Sequence, residues 1–202
     1  MLAAENSPLA APALHADEFQ AFRQLLNDVA GIRLHEHKAE LVRSRLLRRL
    51  RALSLVSFRD YLERVKGDRS GAELTQLIDA LTTNTTSFYR EPHHFELLEE
   101  ELLPRWRKKD RRLRIWSAGC SRGHEPYSIA ITLLETQPAR GRDERVLATD
   151  ISTQVLAHAR SGEYSDEEIE PVPAATRARH FERVSGTGAQ RVVADTCRFR
   201  KI

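Results

Sequence analysis

No stretch constrains this chain more than the one from Leu113 to Asp150. A short apolar run, Leu113, Ile115 and Trp116, breaks at once into Ser117-Ala118-Gly119-Cys120-Ser121. Helical periodicity resumes near Glu125 and Pro126, with Ile129, Ala130, Leu133 and Leu134 on one face, and a second apolar run, Val146-Leu147, ends at Asp150. Ser152 can cap a further helix that turns Val155, Leu156 and Ala159 inward. Strand, helix, strand and helix in this order form a βαβ unit with a right-handed crossover, which commits this part of the chain to a parallel α/β sheet.

A strand that enters a small-residue turn and then a helix N-terminus is a ready site for a nucleoside, because the ligand can approach the backbone closely. Gly119 and Gly123 occupy the turn without the G-x-G-x-x-G spacing, and no P-loop lysine follows, which argues against NAD and against a pyrophosphate ligand. An acid at the end of the next strand can accept hydrogen bonds from ribose hydroxyls. Asp150 stands there, where it can equally cap the helix that begins beside Ser152. A ligand with ribose and no phosphate suits the pair, and S-adenosylmethionine is the commonest such ligand.

Upstream the pattern is helical. Phe19, Phe22, Leu25, Leu26 and Val29 recur at three- and four-residue steps up to Gly31, a natural terminator. A second helix, about His37 to Leu53, is expected to bury Leu41, Val42, Leu46, Leu50 and Leu53. A third starts at Ser57, with Asp60 completing an imperfect capping box, buries Phe58, Tyr61, Leu62 and Val65, and stops near Gly67. Leu74, Leu77, Ile78 and Leu81 stripe a fourth. The expected division is a mobile Ala- and Pro-rich tail over residues 1–16, a helical domain over 17–81, a linker over 82–91 and an α/β domain over 92–202. A helix from Pro92, carrying Phe95, Leu98 and Leu102 and ending near Pro104, opens that last domain. From about residue 165 onward Glu182–Val184, Arg191–Ala194 and Arg198–Ile202 read as short strands of a small β subdomain, with Ser185-Gly186-Thr187-Gly188 as the turn between the first two.

Composition narrows the function classes. With 41% hydrophobic and 30% charged residues in 202, the chain is an ordinary globular one, and a net charge of +3 implies no polycation. No run approaches the roughly 20 apolar residues of a membrane span, and the N-terminus lacks the pattern of a signal peptide. Two cysteines, Cys120 and Cys197, argue against a disulfide framework and point to a reducing cytoplasm. His35 and His37, and the adjacent His93 and His94, lack metal-ligand spacing, so no metal is expected. Cys120 reads as a small packing residue rather than a nucleophile.

Several ordered segments carry a family likeness. Thr82-Thr83-Asn84-Thr85-Thr86-Ser87-Phe88-Tyr89-Arg90-Glu91-Pro92, Ile115-Trp116-Ser117-Ala118-Gly119-Cys120-Ser121, Glu125-Pro126-Tyr127-Ser128-Ile129-Ala130 and Ala148-Thr149-Asp150-Ile151 together resemble the chemotaxis-receptor glutamate O-methyltransferase family (CheR). Ala159 to Tyr164 extends the likeness, and Ala30-Gly31-Ile32 with Arg45 to Leu53 resembles the family's N-terminal domain. The resemblance implies an α/β fold: a small N-terminal helical domain, then a partial Rossmann-like class I methyltransferase domain with a terminal β-hairpin subdomain. It implies S-adenosylmethionine as cofactor, with Asn84, Thr86, Arg90, Glu125 and Asp150 contacting it, Asp150 on the ribose. It implies transfer of a methyl group to glutamates of chemotaxis receptors, whose cytoplasmic helices are the expected partners, by a cytoplasmic monomer. No nucleic acid and no membrane insertion are expected. The family usually has Thr and Glu where this chain has Arg122 and His124, which puts a bulky cation beside the glycine turn.

Read as residues alone, Asn84 and Thr86 are also candidates to cap the preceding helix, and Arg90 to pair with Glu91. Arg43, Arg45, Arg48, Arg49 and Arg51 crowd one helix. That is a solvated face, a phosphate-binding footprint, or, as the resemblance implies, a surface that docks on acidic receptor helices; the absence of groove-reading motifs and stacking aromatics favours docking. A glutamate acceptor, with an ordinary pKa near about 4.3, is ionised at neutral pH, so no general base is required and none is assigned. Two sheet strands precede the terminal segments, fewer than the family's sheet has, and the first is expected to leave an unpaired edge. A curtailed chain is therefore expected, with weak cofactor affinity and poor solubility alone. The alternative is a non-catalytic receptor-binding or regulatory module that retains half of the cofactor pocket.

Overall fold

Helical spacing between Phe19 and Leu81 becomes four helices in a computed structural model that describes residues 11–108, 112–136, 143–194 and 196–202. They are α1 (Ala16–Ala30), α2 (Ala39–Ala52), α3 (Phe58–Gly67) and α4 (Ala72–Leu81), and they belong to one of two units, Met1–Thr82 and Thr83–Ile202. Most of the expected tail lies outside the described residues; residues 11–15 lead into α1. Gly31 ends α1 in the left-handed region, φ +64°, and its N–H reaches Asn27 O at 3.0 Å. Ser57 Oγ accepts from the Asp60 N–H at 3.1 Å and so caps α3.

Phe22, Leu26, Leu46, Leu50, Phe58, Tyr61 and Leu77 are buried and form the core of this unit. Val29 and Leu41, expected on the buried stripes, are 46% and 37% exposed. The buried line on α2 is Val42, Leu46 and Leu50, an i, i+4 row, and Leu41 sits about 100° around the helix from it. Val29 lies in the last turn of α1, and the buried residues of that helix end at Leu26.

One buried ion pair crosses this core. Arg49 donates through Nε and Nη2 to the two oxygens of Glu73, both at 2.6 Å, and the Glu73 side chain is only 7% exposed. The Arg49 guanidinium holds the Glu73 carboxyl below the usual carboxylate range. A depressed folded value means that the pair's contribution is complete above the unfolded pKa, near about 4.3, and is lost as pH falls through the folded value. Glu73→Gln is therefore expected to cost about 1–3 kcal/mol near neutral pH and to flatten the acid limb of stability. Thermal melts of both proteins between pH 3 and 7 check this; parallel pH profiles would refute it.

The second unit starts with a helix whose course differs from expectation. α5 (Pro92–Leu97) runs through a π turn, Leu98–Leu102, into α6 (Leu103–Arg107), so the chain stays helical past Pro104. Pro104 is tolerated because it stands in the first turn of α6, where its missing N–H and its ring do least harm, and the wider π turn precedes it. Phe95 and Leu103 are buried, whereas Leu102, expected inward, is 49% exposed.

Next come β1 (Arg112–Ala118), α7 (His124–Thr136), β2 (Asp143–Asp150) and α8 (Thr153–Ser161). β1 and β2 are parallel, Ile115 opposite Val146 and Ser117 opposite Ala148. Ser152 Oγ caps α8 by accepting from the Val155 N–H at 3.4 Å. β3 (Glu163–Tyr164), α9 (Ala174–His180), β4 (Phe181–Arg183), β5 (Gln190–Val192) and β6 (Cys197–Lys201) follow. β4 and β5 pair antiparallel, and with β3 they make a small second sheet in the order β3-β5-β4. The last terminal segment departs from the expected β subdomain: β6 lies parallel to β2, Val146 opposite Cys197, as the third strand of the main sheet, ordered β1-β2-β6. Its alternation of Cys197 and Phe199 with Arg198 and Arg200 fits either placement, and only pairing with a strand far away in sequence decides between them.

Because both crossovers advance in the same direction along the sheet, right-handedness puts α7 and α8 on one face. That face carries Leu113, Ile115, Val146, Ala148, Cys197 and Phe199, packed against Tyr127, Ile131, Leu156 and Ala159. Trp116 points to the other face. It was expected to be buried, yet it is 63% exposed, and its indole N–H donates to Thr149 Oγ1 at 2.9 Å.

Candidate functional site

The small-residue turn after β1 is fastened to the end of β2 by main-chain bonds. The N–H groups of Gly119 and Cys120 both donate to Thr149 O at 2.8 Å. The Ser121 N–H donates to Asp150 Oδ2 at 2.8 Å, and the Ser152 N–H donates to Asp150 Oδ1 at 2.9 Å. The buried Asp150 carboxylate thus ties the turn to the start of α8; each oxygen keeps a second lone pair. Gly123, with φ +92°, closes the turn. A Cβ there would lie 2.8 Å from Tyr164 Oη and 2.9 Å from Ala159 Cβ, so glycine is required both for space and for backbone conformation. Beside Gly119, by contrast, nothing lies within 4 Å of where a Cβ would stand.

The segment Thr83–Glu91 reaches the same turn. Ser121 Oγ donates to Asn84 O at 2.9 Å, and the Tyr89 N–H donates to Ser128 Oγ on α7 at 3.0 Å. Phe88 is buried, its ring edge-on to His124, Tyr164 and Phe181 at centroid separations of 4.8, 4.9 and 5.5 Å. Tyr89 and Glu91 take φ of +52° and +56°, and Ser121 takes +48°; among the described residues only Ser54 joins these three as a non-glycine with positive φ. Such positions cost on the order of 1–3 kcal/mol each and gather at functional sites. Arg90, between two of them, is exposed, and its Nη1 donates back to Thr85 O at 3.0 Å.

Of the five residues expected to hold a cofactor, Asn84 and Asp150 therefore meet at Ser121. Glu125, exposed in the first turn of α7, accepts from Ser117 Oγ on β1 at 2.6 Å. Thr86 is half-buried in the same segment as Asn84. The cap of α8 is Ser152 itself, and Asp150 braces it by accepting from the Ser152 N–H. Two carboxylates beside an open glycine turn suit hydroxyl donors and a cationic ligand and repel a phosphate. Burial pushes the Cys120 thiol up to about 12, which keeps it neutral, and among the described residues no group of His, Cys, Asp and Glu could hold a metal ion.

The sequence pattern did not disclose Thr149, which acts through its carbonyl, or Ser128, whose hydroxyl faces inward from α7. A serine at position 121, just before a glycine turn, was the one legible hint of a side chain that joins the turn to residue 84. Arg122 is directed elsewhere than the turn: its Nη2 lies 2.9 Å from Glu168 Oε1 and 3.2 Å from His158 Nε2.

In the helical unit the five arginines of α2 do not form one free cationic face. Arg49 is committed to Glu73. Arg45 Nη1 donates to Leu81 O and Thr82 O at 2.9 and 2.8 Å, closing the end of α4. Arg43 pairs with Glu40 at 2.7 Å and donates to Pro12 O at 3.2 Å. Arg48 and Arg51 are the exposed pair.

Comparison with known proteins agrees with both units. The family described as "CheR methyltransferase, SAM binding domain" matches residues 84–202, and the one described as "CheR methyltransferase, all-alpha domain" matches residues 17–82. The chain is 46% identical over 181 residues to Chemotaxis protein methyltransferase 2 of Pseudomonas aeruginosa, covering 89% of this chain and 64% of that protein. It is 43% and 42% identical to the Chemotaxis protein methyltransferase of Salmonella typhimurium and that of Escherichia coli, in each case covering 87% of this chain and 59% of the relative. The chain thus spans about three fifths of the length of the curated relatives it matches.

Proposed function

The chain belongs to the CheR methyltransferase family, and from that premise we propose that it transfers a methyl group from S-adenosylmethionine to glutamate side chains on the cytoplasmic helices of chemotaxis receptors. The observation that carries this reading is the open glycine turn tied to Asp150 and reached by Asn84. In the proposed site Asp150 accepts from the ribose hydroxyls with its spare lone pairs, while Asn84, Thr86, Arg90 and Glu125 complete the cofactor contacts. The cofactor, when bound, supplies an activated methyl on a sulfonium.

The acceptor carboxylate is already ionised at neutral pH, so the chain needs to orient it and exclude water rather than remove a proton. Orientation of this kind is worth roughly 7–11 kcal/mol in favourable cases. Arg90 is exposed and braced on Thr85, so its guanidinium is available to steady the incoming carboxylate. Among the α2 arginines proposed for receptor docking, Arg48 and Arg51 present their charge to the partner, and Arg43, Arg45 and Arg49 hold the helix in place. The proposed setting is a monomer in a reducing cytoplasm, in keeping with two free, buried cysteines.

Transfer of label from methyl-labelled S-adenosylmethionine to a receptor cytoplasmic fragment tests the reading. Labelling of glutamates is expected, and receptor binding without labelling would leave the non-catalytic module instead. Arg90→Ala is expected to lower kcat/KM for the receptor by about 10–100-fold, with partial recovery in Arg90→Lys. Undiminished turnover by Arg90→Ala would remove Arg90 from the site.

A further inference from the structure

Arg122 and His124 flank Gly123, yet neither side chain takes part in the bonds that fasten the turn to β2. A second set of contacts holds the turn from the opposite side. Tyr164 Oη donates to Arg122 O at 2.7 Å. The Arg122 guanidinium lies against Glu168 and His158, as described above. Glu168 is itself preset: its Oε2 accepts from the Ser165 N–H at 3.0 Å, and its own N–H donates to Ser165 Oγ at 3.2 Å. His124 is 2% exposed, lies edge-on to Phe88 and Tyr164, and places Nε2 3.8 Å from Glu168 Oε1. One loop carboxylate therefore faces a guanidinium and a buried imidazole that arrive together from the glycine turn.

We propose that Arg122 is a positioning residue that holds the turn from Cys120 to Gly123 in its cofactor-receiving shape, through Glu168 and through a bond to His158 that exists only while that imidazole is neutral. The proposal rests on the cofactor reading above. A guanidinium can only donate, so His158 Nε2 must accept, which requires a neutral ring with its proton on Nδ1. Protonation turns that acceptor into a donor and sets a second cation 3.2 Å from the first. The groups facing His158 are Arg122 from the turn, His124 from α7, Glu168 from the loop, and Glu163 and Tyr164 from β3. Burial, with Arg122, lowers the His158 pKa, and the two glutamates oppose that shift. With the folded value below the ordinary one of about 6.5, the folded chain binds fewer protons than the unfolded chain, so the strap is intact at neutral pH and loosens as pH falls. His124, pushed down to about 4 by burial, titrates later.

Two measurements on the whole chain test this. Calorimetric titration with S-adenosylhomocysteine at pH 7.5 and 5.5 is expected to show a loss of affinity on acidification, smaller than the roughly tenfold that an imidazole at the ordinary value of about 6.5 would give, because the His158 value lies below it. His158→Gln, whose amide oxygen accepts at both pH values, should abolish that pH dependence. Arg122→Ala should bind about tenfold more weakly at pH 7.5 and show no further loss at 5.5, with Arg122→Lys between it and the wild type. Wild-type pH profiles in both His158→Gln and Arg122→Ala would overturn the proposal. Amide hydrogen exchange at Ser121 and Gly123, measured without ligand, separates it from the cofactor reading. Faster exchange in Arg122→Ala and Arg122→Lys supports the strap even if the chain binds no S-adenosylhomocysteine, and unchanged exchange refutes it.

Discussion

Asp150→Ala is expected to weaken S-adenosylhomocysteine binding by at least about 100-fold, or about 3 kcal/mol, and to lower the melting temperature of the chain as well. The carboxylate is buried and accepts from two backbone N–H groups, those of Ser121 and Ser152. Removing it orphans both donors, and hydrogen bonds to a charged group are worth about 1.5–3 kcal/mol each. The turn then loses its link to β2 beyond Thr149 O, and α8 loses a bond at its start, so the site and the fold suffer together. Asp150→Asn should be nearly as damaging, because an amide offers one acceptor oxygen where two N–H donors must be met. Calorimetry and thermal melts on the same samples distinguish the roles: a lower melting temperature with normal affinity would show that Asp150 only ties the turn to the start of α8.

Phe88→Ala is expected to cost about 3–5 kcal/mol of stability, the usual range for emptying a fully buried aromatic site. The ring is 1% exposed and lies at the junction of three others, His124 at the start of α7, Tyr164 on β3 and Phe181 on β4. It is also buried in the segment whose Asn84 carbonyl meets Ser121 of the turn, so cofactor affinity should fall in step with stability. Phe88→Leu, which keeps most of the volume, is expected to lose only about 1 kcal/mol or slightly more. Denaturant unfolding, followed by hydrogen exchange in the second unit, measures both; a loss under about 1 kcal/mol for Phe88→Ala would mean that the ring pairs carry little of the packing.

Sequence and structure agree where the physics is local. A repeat of apolar residues at three and four positions places α1 to α4, and Ser57, Gly31 and Ser152 mark ends that the structure caps with those same residues. Sequence and structure part where one residue can satisfy two environments. Trp116 is apolar enough to be assigned to the core, but its neighbour in space, Thr149, gives its indole a partner on the exposed face. Pro104 should end a helix by its chemistry, and a π turn one step earlier removes the conflict. The arginines of α2 are uniform in sequence, yet Glu73 and the last carbonyls of α4, brought alongside by helix packing, claim Arg49 and Arg45.

By itself the sequence determined the division into a helical part and an α/β part, the strand–turn–helix at the candidate site, and the family to which the chain belongs. These depend on spacings of a few residues and on glycines and acids at fixed points within one βαβ unit. Only the tertiary structure decided that Cys197–Lys201 completes the parallel sheet, that Phe88 joins three elements, and that Arg122 turns toward Glu168 and His158. Those contacts join positions tens of residues apart. Alternation, charge and aromatic character state what a side chain can pair with, and the folded chain alone selects which of several chemically adequate partners lies within reach.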